Sequence, residues 1–167
     1  MNRNLQKREL RLIIGKRHIS QIEKFVELIC DDYHVYDEYY ANIIAANTML
    51  AEYICNISNN ANHRVDVKFF SDKNGMRFLY YLGELFLDIA SNYERINKLP
   101  IGETALNENN LHSLMAISLL CDEIVTDSDN STIELCFRIT GVNEVLTLQR
   151  IELLKKYFAM VGTEVKH

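Results

Sequence analysis

The segment "VDVKFFSDKNGMRFLYYL", Val65 to Leu82, constrains the fold more than any other. Two β-rich runs flank Asn74-Gly75, a dipeptide suited to the positive φ angles of a tight hairpin turn. An antiparallel pair is therefore expected near the middle of the chain. Segments of helical period stand on both sides of it. "HISQIEKFVELICDDY" carries Ile19, Ile22, Phe25, Val26 and Ile29 at helical spacing, and "ANIIAANTMLAEYICNISNN" reads as one long helix from Ala41. "NLHSLMAISLLCDEIV" is apolar at the same period and predicts a helix packed on the sheet. Paired central strands with helices elsewhere define an α+β chain.

The remaining segments extend this outline. Leu10 to Ile14 alternates loosely and stops at Gly15, which predicts a strand and a turn. Ser20 and Glu23 have the spacing of a capping box for the first helix, and Asp37 is a candidate cap for the second. "GELFLDIASNYERI" fits either an extended segment or a short helix, and "NKLPIGETALNEN", with the only proline, reads as a loop. "DSDNS" is a turn before Ile133, Leu135, Phe137 and Ile139, which alternate as a strand. From Asn143 to Met160 the chain is amphipathic, with Val145, Leu148, Ile151, Leu154 and Phe158 on one face. The expected architecture is a two-layer α/β sandwich: a mixed, mainly antiparallel sheet with helices on one face. Residues 1–142 form its domain, and 143–167 add a helix and tail that pack on it or in a dimer.

Charge and composition exclude several classes. A net charge of −5 argues against a nucleic-acid surface, and the basic "KRELR" and "GKR" read as solvated flanks of a strand. The first apolar run, "LRLII", is too short for a secretory signal, and no run approaches the ~18 apolar residues of a membrane span. Cys30, Cys55, Cys121 and Cys136 lie far apart in apolar segments, as buried reduced thiols do. The five histidines have no i,i+4 pairing and no cysteine at metal-ligand spacing, so a zinc site is not expected. His112 and Ser113 are neighbours whose side chains diverge on a helix, which gives no catalytic dyad. "DEIVTDSD" lacks calcium-loop spacing and reads as a solvated turn. The expectation is a cytoplasmic protein with no membrane, nucleic-acid or metal partner.

The order of elements and several segments resemble the ATPase domain shared by gyrases, heat-shock chaperones and histidine kinases, in its anti-sigma-factor serine-kinase branch. The first helix carries the resemblance through Ile22, Glu23, Phe25, Val26, Glu27, Ile29, Cys30 and Tyr33. Glu38 and the opening of the long helix, Asn42, Ile43, Ala46 and Thr48, continue it. "CDEIV", Cys121 to Val125, is similar to the end of the family's helix before its last strand. The likeness spans roughly residues 8 to 140. It implies a histidine-kinase-like ATPase fold, a nucleotide site with ATP and Mg²⁺, and a role in bacterial signal transduction.

The same resemblance implies where that site would lie, and the residues there are the wrong ones. In ungapped register from Asn42, Met49 stands for the general base and Tyr53 for the metal ligand. A thioether is no base, and a phenol is a poor magnesium ligand. Leu82 replaces the adenine-binding carboxylate, while Glu84 and Phe86 replace the glycines beside it. Leu111 and Ser113 replace the glycines of the phosphate turn. These positions form a vestigial pocket, with no catalytic residue, no cofactor and no metal expected. A rival register uses Glu52 and Asn56 as the Glu-x-x-x-Asn pair, after a three-residue insertion, in a functional ATP-binding serine kinase or anti-sigma factor. At ~100° per residue Glu52 lies about 180° from the stripe of Ile43, Ala46, Leu50, Ile54 and Ile57, on the solvent side, whereas Met49 and Tyr53 flank the stripe and should be buried. The resulting expectation is a non-catalytic regulatory module that binds a protein, a sigma-type factor or antagonist-like regulator by analogy, and pairs as a homodimer.

Overall fold

A computed structural model describes residues 8–15, 17–58, 63–72, 75–98 and 109–139, with Lys156 and Ala159 beyond them. The elements run β1 (Arg8–Ile13), α1 (His18–Asp32), α2 (Asp37–Ile57), β2 (Arg64–Asp72), β3 (Gly75–Tyr81), α3 (Phe86–Lys98), α4 (Asn109–Leu120), β4 (Glu123–Asp127) and β5 (Thr132–Phe137), with a 3₁₀ turn at Gly83–Leu85 before α3. The five strands form one sheet in the order β1-β2-β3-β5-β4. Every pairing among them is antiparallel, so the mixed character expected of the sheet is not seen in the described strands.

Alternation decides which sheet face is covered. Val65, Val67 and Phe69 of β2, Met76, Phe78 and Tyr80 of β3, and Ile133, Leu135 and Phe137 of β5 are all buried. They join one core with Ile22, Val26 and Ile29 of α1, Ile43, Leu50 and Ile54 of α2, and Leu111, Leu114 and Ile117 of α4. The opposite face carries Arg11, Asp66, Lys68 and Arg77 in cross-strand ion pairs. The fold is an α+β sheet with helices packed on its apolar face.

A hairpin forms where the Asn-Gly signal lies, but Gly75 already belongs to β3, so the dipeptide does not supply both turn residues. Asp72 pairs with Gly75, which leaves two residues between the strands. Gly75 has φ +142°, and a Cβ there would collide with the carbonyl oxygen of Phe137. Only glycine allows β5 this close to the turn.

Other expectations need correction. The first helix starts at His18 behind Arg17, whose φ is 52°, and no side chain caps it; Ser20 and Glu23 are exposed residues inside the helix. Burying His18 draws the helix start two residues ahead of the capping-box position. The second helix is preceded by Tyr36 in extended conformation, so Asp37 is its first residue and not its cap. The ambiguous "GELFLDIASNYERI" resolves into the 3₁₀ turn and α3. The helix expected to run to Val125 stops at Leu120, and Glu123–Asp127 is an edge strand paired with β5. The β-branched run Ile124-Val125-Thr126 favours the strand. The amphipathic segment at 143–160 lies outside the described residues, apart from Lys156 and Ala159, which are helical and exposed.

Two polar groups in the core make testable contributions. Asn47 is fully buried; its Nδ2 donates to the Ile43 carbonyl at 2.8 Å, and its Oδ1 accepts from the Tyr80 hydroxyl. Tyr80→Phe strands that acceptor and should cost about 1–3 kcal/mol in denaturant unfolding. Asn47→Leu with Tyr80→Phe removes both partners and should cost less than the sum of the single changes.

His18 is the second. Its Nδ1 accepts from the Gly15 amide at 3.3 Å, while its Nε2 is buried with no partner in hydrogen-bond geometry among the described residues. Burial pulls its pKa below the usual 6.5, opposed in part by the Ala51 backbone and the Glu52 carboxylate. The folded state thus binds the proton less readily than the unfolded chain. This contribution is complete above the unfolded value near 6.5 and is lost as the pH falls below it. The urea midpoint should drop between pH 7.5 and 5.5, and His18→Asn, whose Oδ1 stands in for the Nδ1 acceptor and which cannot charge, should drop less.

Candidate functional site

The three segments that would build a nucleotide site come together in the helix layer. α2 packs on α4, α4 packs on α3, and α3 continues from the 3₁₀ turn that follows β3. What they bring together is hydrocarbon. Leu82 is 0% exposed and Tyr53 1%, and Phe86 and Leu111 are also buried in the common core. Met49 is half-buried against that core, less enclosed than its helical phase suggests. Ser113 is half-buried and Glu84 is exposed.

Tyr53, where the resemblance would place a metal ligand, is a hydrogen-bonded core residue. Its hydroxyl accepts a hydrogen bond of 2.8 Å from Asn92 Nδ2 of α3. Burial raises the Tyr53 pKa, the Asn92 bond offsets this in part, and Asp88 adds to it. The phenol therefore stays protonated near neutrality, where it ties α2 to α3. Leu82 is held through its backbone: its amide donates to Ser131 O at 2.9 Å, and its carbonyl lies 3.2 Å from His63 Nε2. The end of β3 is thereby fixed to the β4–β5 turn and to the start of β2.

Glu52 and Asn56 are both exposed. Glu52 is near enough to His18, at the start of α1, to influence its titration. It thus sits toward α1, whereas Tyr53, the next residue, reaches α3. A Glu52–Asn56 pair does not face the α2–α3–α4 junction that Tyr53, Leu82 and Phe86 occupy.

The polar residues of the long helix divide in a way its pattern only partly signals. Asn42, Glu52 and Asn56 form the wet side. Asn47 and Tyr53 are core residues with satisfied hydrogen bonds. Asn47 falls at about 60° from Leu50 at ~100° per residue, on the flank of the apolar stripe opposite Tyr53, and this phase was its only signal. Asn92 gave none, since its partner is 39 residues away.

Two other places offer polar groups. A shallow cavity of about 510 Å³ lies on the open sheet face, between Arg77, Arg138, Asp72, Glu123, Glu134 and Cys136. Its charges pair with one another: Arg77 with Asp72 at 2.7 Å and Glu134 at 3.7 Å, and Arg138 with Glu123 at 3.3 Å. Burial and the Glu134 carboxylate push the Cys136 thiol up to about 12, so it is no nucleophile near neutrality. In the β4–β5 turn, the Asp127 carboxylate is taken up by Asn130 Nδ2 at 2.7 Å and by the Asp129 amide at 3.0 Å. Among the described residues, no group of three or more His, Cys, Asp or Glu side chains could hold a metal ion, and no helix is long and apolar enough to cross a membrane.

The chain matches no protein-family model, and no curated protein matches it.

Proposed function

We propose that the protein is a non-catalytic regulatory module of histidine-kinase-like ATPase fold, related to anti-sigma-factor kinases, whose nucleotide site has been filled by its own side chains. One observation carries the reading. Of the positions that would supply base, metal ligand, adenine carboxylate and glycine turns, Met49, Tyr53, Leu82, Phe86 and Leu111 are in or against the hydrophobic core, while Glu84 is exposed and Ser113 half-buried. The element order β-α-α-β-β-α-α-β-β supports the relationship, because it keeps the long helix, the hairpin and the last helix where the resemblance requires them. The exposure of Glu52 and Asn56 weighs against a functioning kinase in the rival register.

Function then rests on the surface. By analogy the partner is a sigma-type factor or an antagonist-like regulator, bound without nucleotide, and the module pairs as a homodimer. A thermal melt tests the nucleotide claim. A site with a dissociation constant of ~0.1 mM would gain roughly 2.7 kcal/mol at a hundredfold excess of Mg-ATP. For a chain of this size that amounts to about 5–10 °C. No shift is expected, and a shift of that size would refute the reading.

A further inference from the structure

We infer that the protein pairs through the outer edge of β1, which meets the β1 of a second copy in antiparallel register about Leu10 and joins the two sheets into one. This deepens the homodimer named in the proposed function, on which it rests, and is independent of the nucleotide site. β1 ends the sheet on one side and β4 on the other, and among the described residues no strand pairs with the outer side of either. Such an edge presents unpaired amide and carbonyl groups to a further strand. Alternation fixes which groups those are. The Ile14 amide donates to His63 O at 2.9 Å, and these two residues stand opposite each other one step beyond the Ile13–Arg64 pair. Hydrogen-bonded and non-hydrogen-bonded pairs alternate along an antiparallel ladder. Arg8, Leu10 and Leu12 therefore bond to β2, while Glu9, Arg11 and Ile13 turn their backbone groups outward. The side chains of Glu9 and Arg11 lie on the open sheet face, 60% and 63% exposed.

Charge selects the register. With the two-fold axis at Leu10, Glu9 opposes the second copy's Arg11, and Arg11 opposes the second copy's Glu9. Each of these pairs also exchanges two backbone hydrogen bonds, because both residues point outward. An axis at Arg11 or at Glu9 would instead set like charges against each other, which is destabilising. Within each copy Glu9 already stands opposite Lys68, at 3.7 Å, and Arg11 opposite Asp66, at 3.5 Å. The pairing extends each of these into a row of Lys68, Glu9, Arg11 and Asp66, alternating in sign across four strands. The β4 edge has no such pattern. Its charged residues, Glu123 and Asp127, are both acidic, and antiparallel pairing about Val125 would oppose them.

The helix layer fits the same partner. Arg8 pairs with Asp32 at the end of α1, and Leu28 lies one turn before Asp32 on that side of the helix. α2 lies on the other flank of α1, where Glu27 and Glu23 stand near its Tyr40. Leu28 is therefore on the β1 side, and it is 52% exposed. Leu10, on the helix face of β1, is only partly buried against the core. Pairing about Leu10 sets the two α1 helices side by side and covers both leucines.

Sedimentation of the full chain over a dilution series tests the surface with complementary charge variants. The parent should dimerise. Glu9→Arg and Arg11→Glu each oppose like charges at both places, so each should weaken self-association by on the order of tenfold. Mixed in equal amounts, the two should form a heterodimer about as tightly as the parent pairs, because every arginine again meets a glutamate. Both side chains are exposed, so each variant should melt close to the parent. Oxidation then tests the register against the oxidised parent. Leu10→Cys should give a disulfide-linked dimer, since a non-hydrogen-bonded pair brings its Cα atoms to about 4.5 Å. Arg11→Cys should not, because its two copies lie beyond the ~7 Å that a disulfide spans. A dimer that neither charge variant weakens, or a mixture no tighter than its components, would overturn this surface and leave the homodimer standing. Linkage through Arg11→Cys in place of Leu10→Cys would overturn the register, and a parent that stays monomeric would overturn the homodimer as well.

Discussion

Leu82→Asp, which introduces the side chain that an adenine-binding site would require, is expected to come close to unfolding the protein at pH 7. Leu82 is fully buried, and its backbone is tied to Ser131 and lies beside His63. The substitution removes a leucine from the core and buries an ionised carboxylate there without a designed partner. Each loss costs a few kcal/mol, so about 4 kcal/mol or more is expected in total, against a stability of roughly 5–15 kcal/mol for a typical domain. The pH dependence identifies the cause. Burial raises the folded-state pKa of the introduced carboxyl above its unfolded value near ~3.9, so the penalty is smallest at low pH and grows as the pH rises. Denaturant melts at pH 4.5 and 7.5, each compared with the parent protein, should show this widening gap. Leu82→Asn should lose stability without it. A Leu82→Asp variant as stable as the parent at pH 7.5 would mean that the position opens onto water, as a ligand pocket does.

The second large effect is expected at Phe78. Its ring lies 5.1 Å from that of Phe69 and 6.0 Å from that of Phe137, which makes it the central link of the aromatic row across β2, β3 and β5. Phe78→Ala should cost about 3–5 kcal/mol, through lost burial and through a cavity that rigid strands cannot close. Phe78→Leu keeps most of the volume and should cost roughly 1–2 kcal/mol. Urea midpoints of the three proteins, at constant slope, measure both values. Equal small losses for the two variants would show that the sheet repacks freely there.

The legible parts of the fold were those with local physical causes. Asn74-Gly75 announced the hairpin but not its register, since Gly75 pairs with Asp72 as the first residue of β3. The phase of α2 gave a buried Tyr53 and an exposed Glu52. The signals that misled were also local but were overridden. A capping box at Ser20 lost to the burial of His18, which begins the helix earlier. The strand Glu123–Asp127 was hidden because three of its five residues are acidic or threonine and because the apolar period of α4 seemed to run into it. Its existence depends on pairing with β5, a tertiary fact that no window of residues contains. The candidate site was legible only as the set of positions that the resemblance marks. That Tyr53 is held by Asn92, and that Asn47 is held by Tyr80, could not be read from spacing, because both bonds join residues more than thirty positions apart.

On the proposed reading, Tyr53, Leu82 and Phe86 fill the place of a nucleotide, and permanent order stands where ligand-dependent order would be. A module of this kind would hold one conformation at all nucleotide levels. Isothermal titration of the intact protein with Mg-ATP tests the central claim most directly. The predicted result is heat indistinguishable from dilution up to millimolar nucleotide. Saturable one-to-one heat with a dissociation constant below ~1 mM, about 4 kcal/mol of binding, would contradict it.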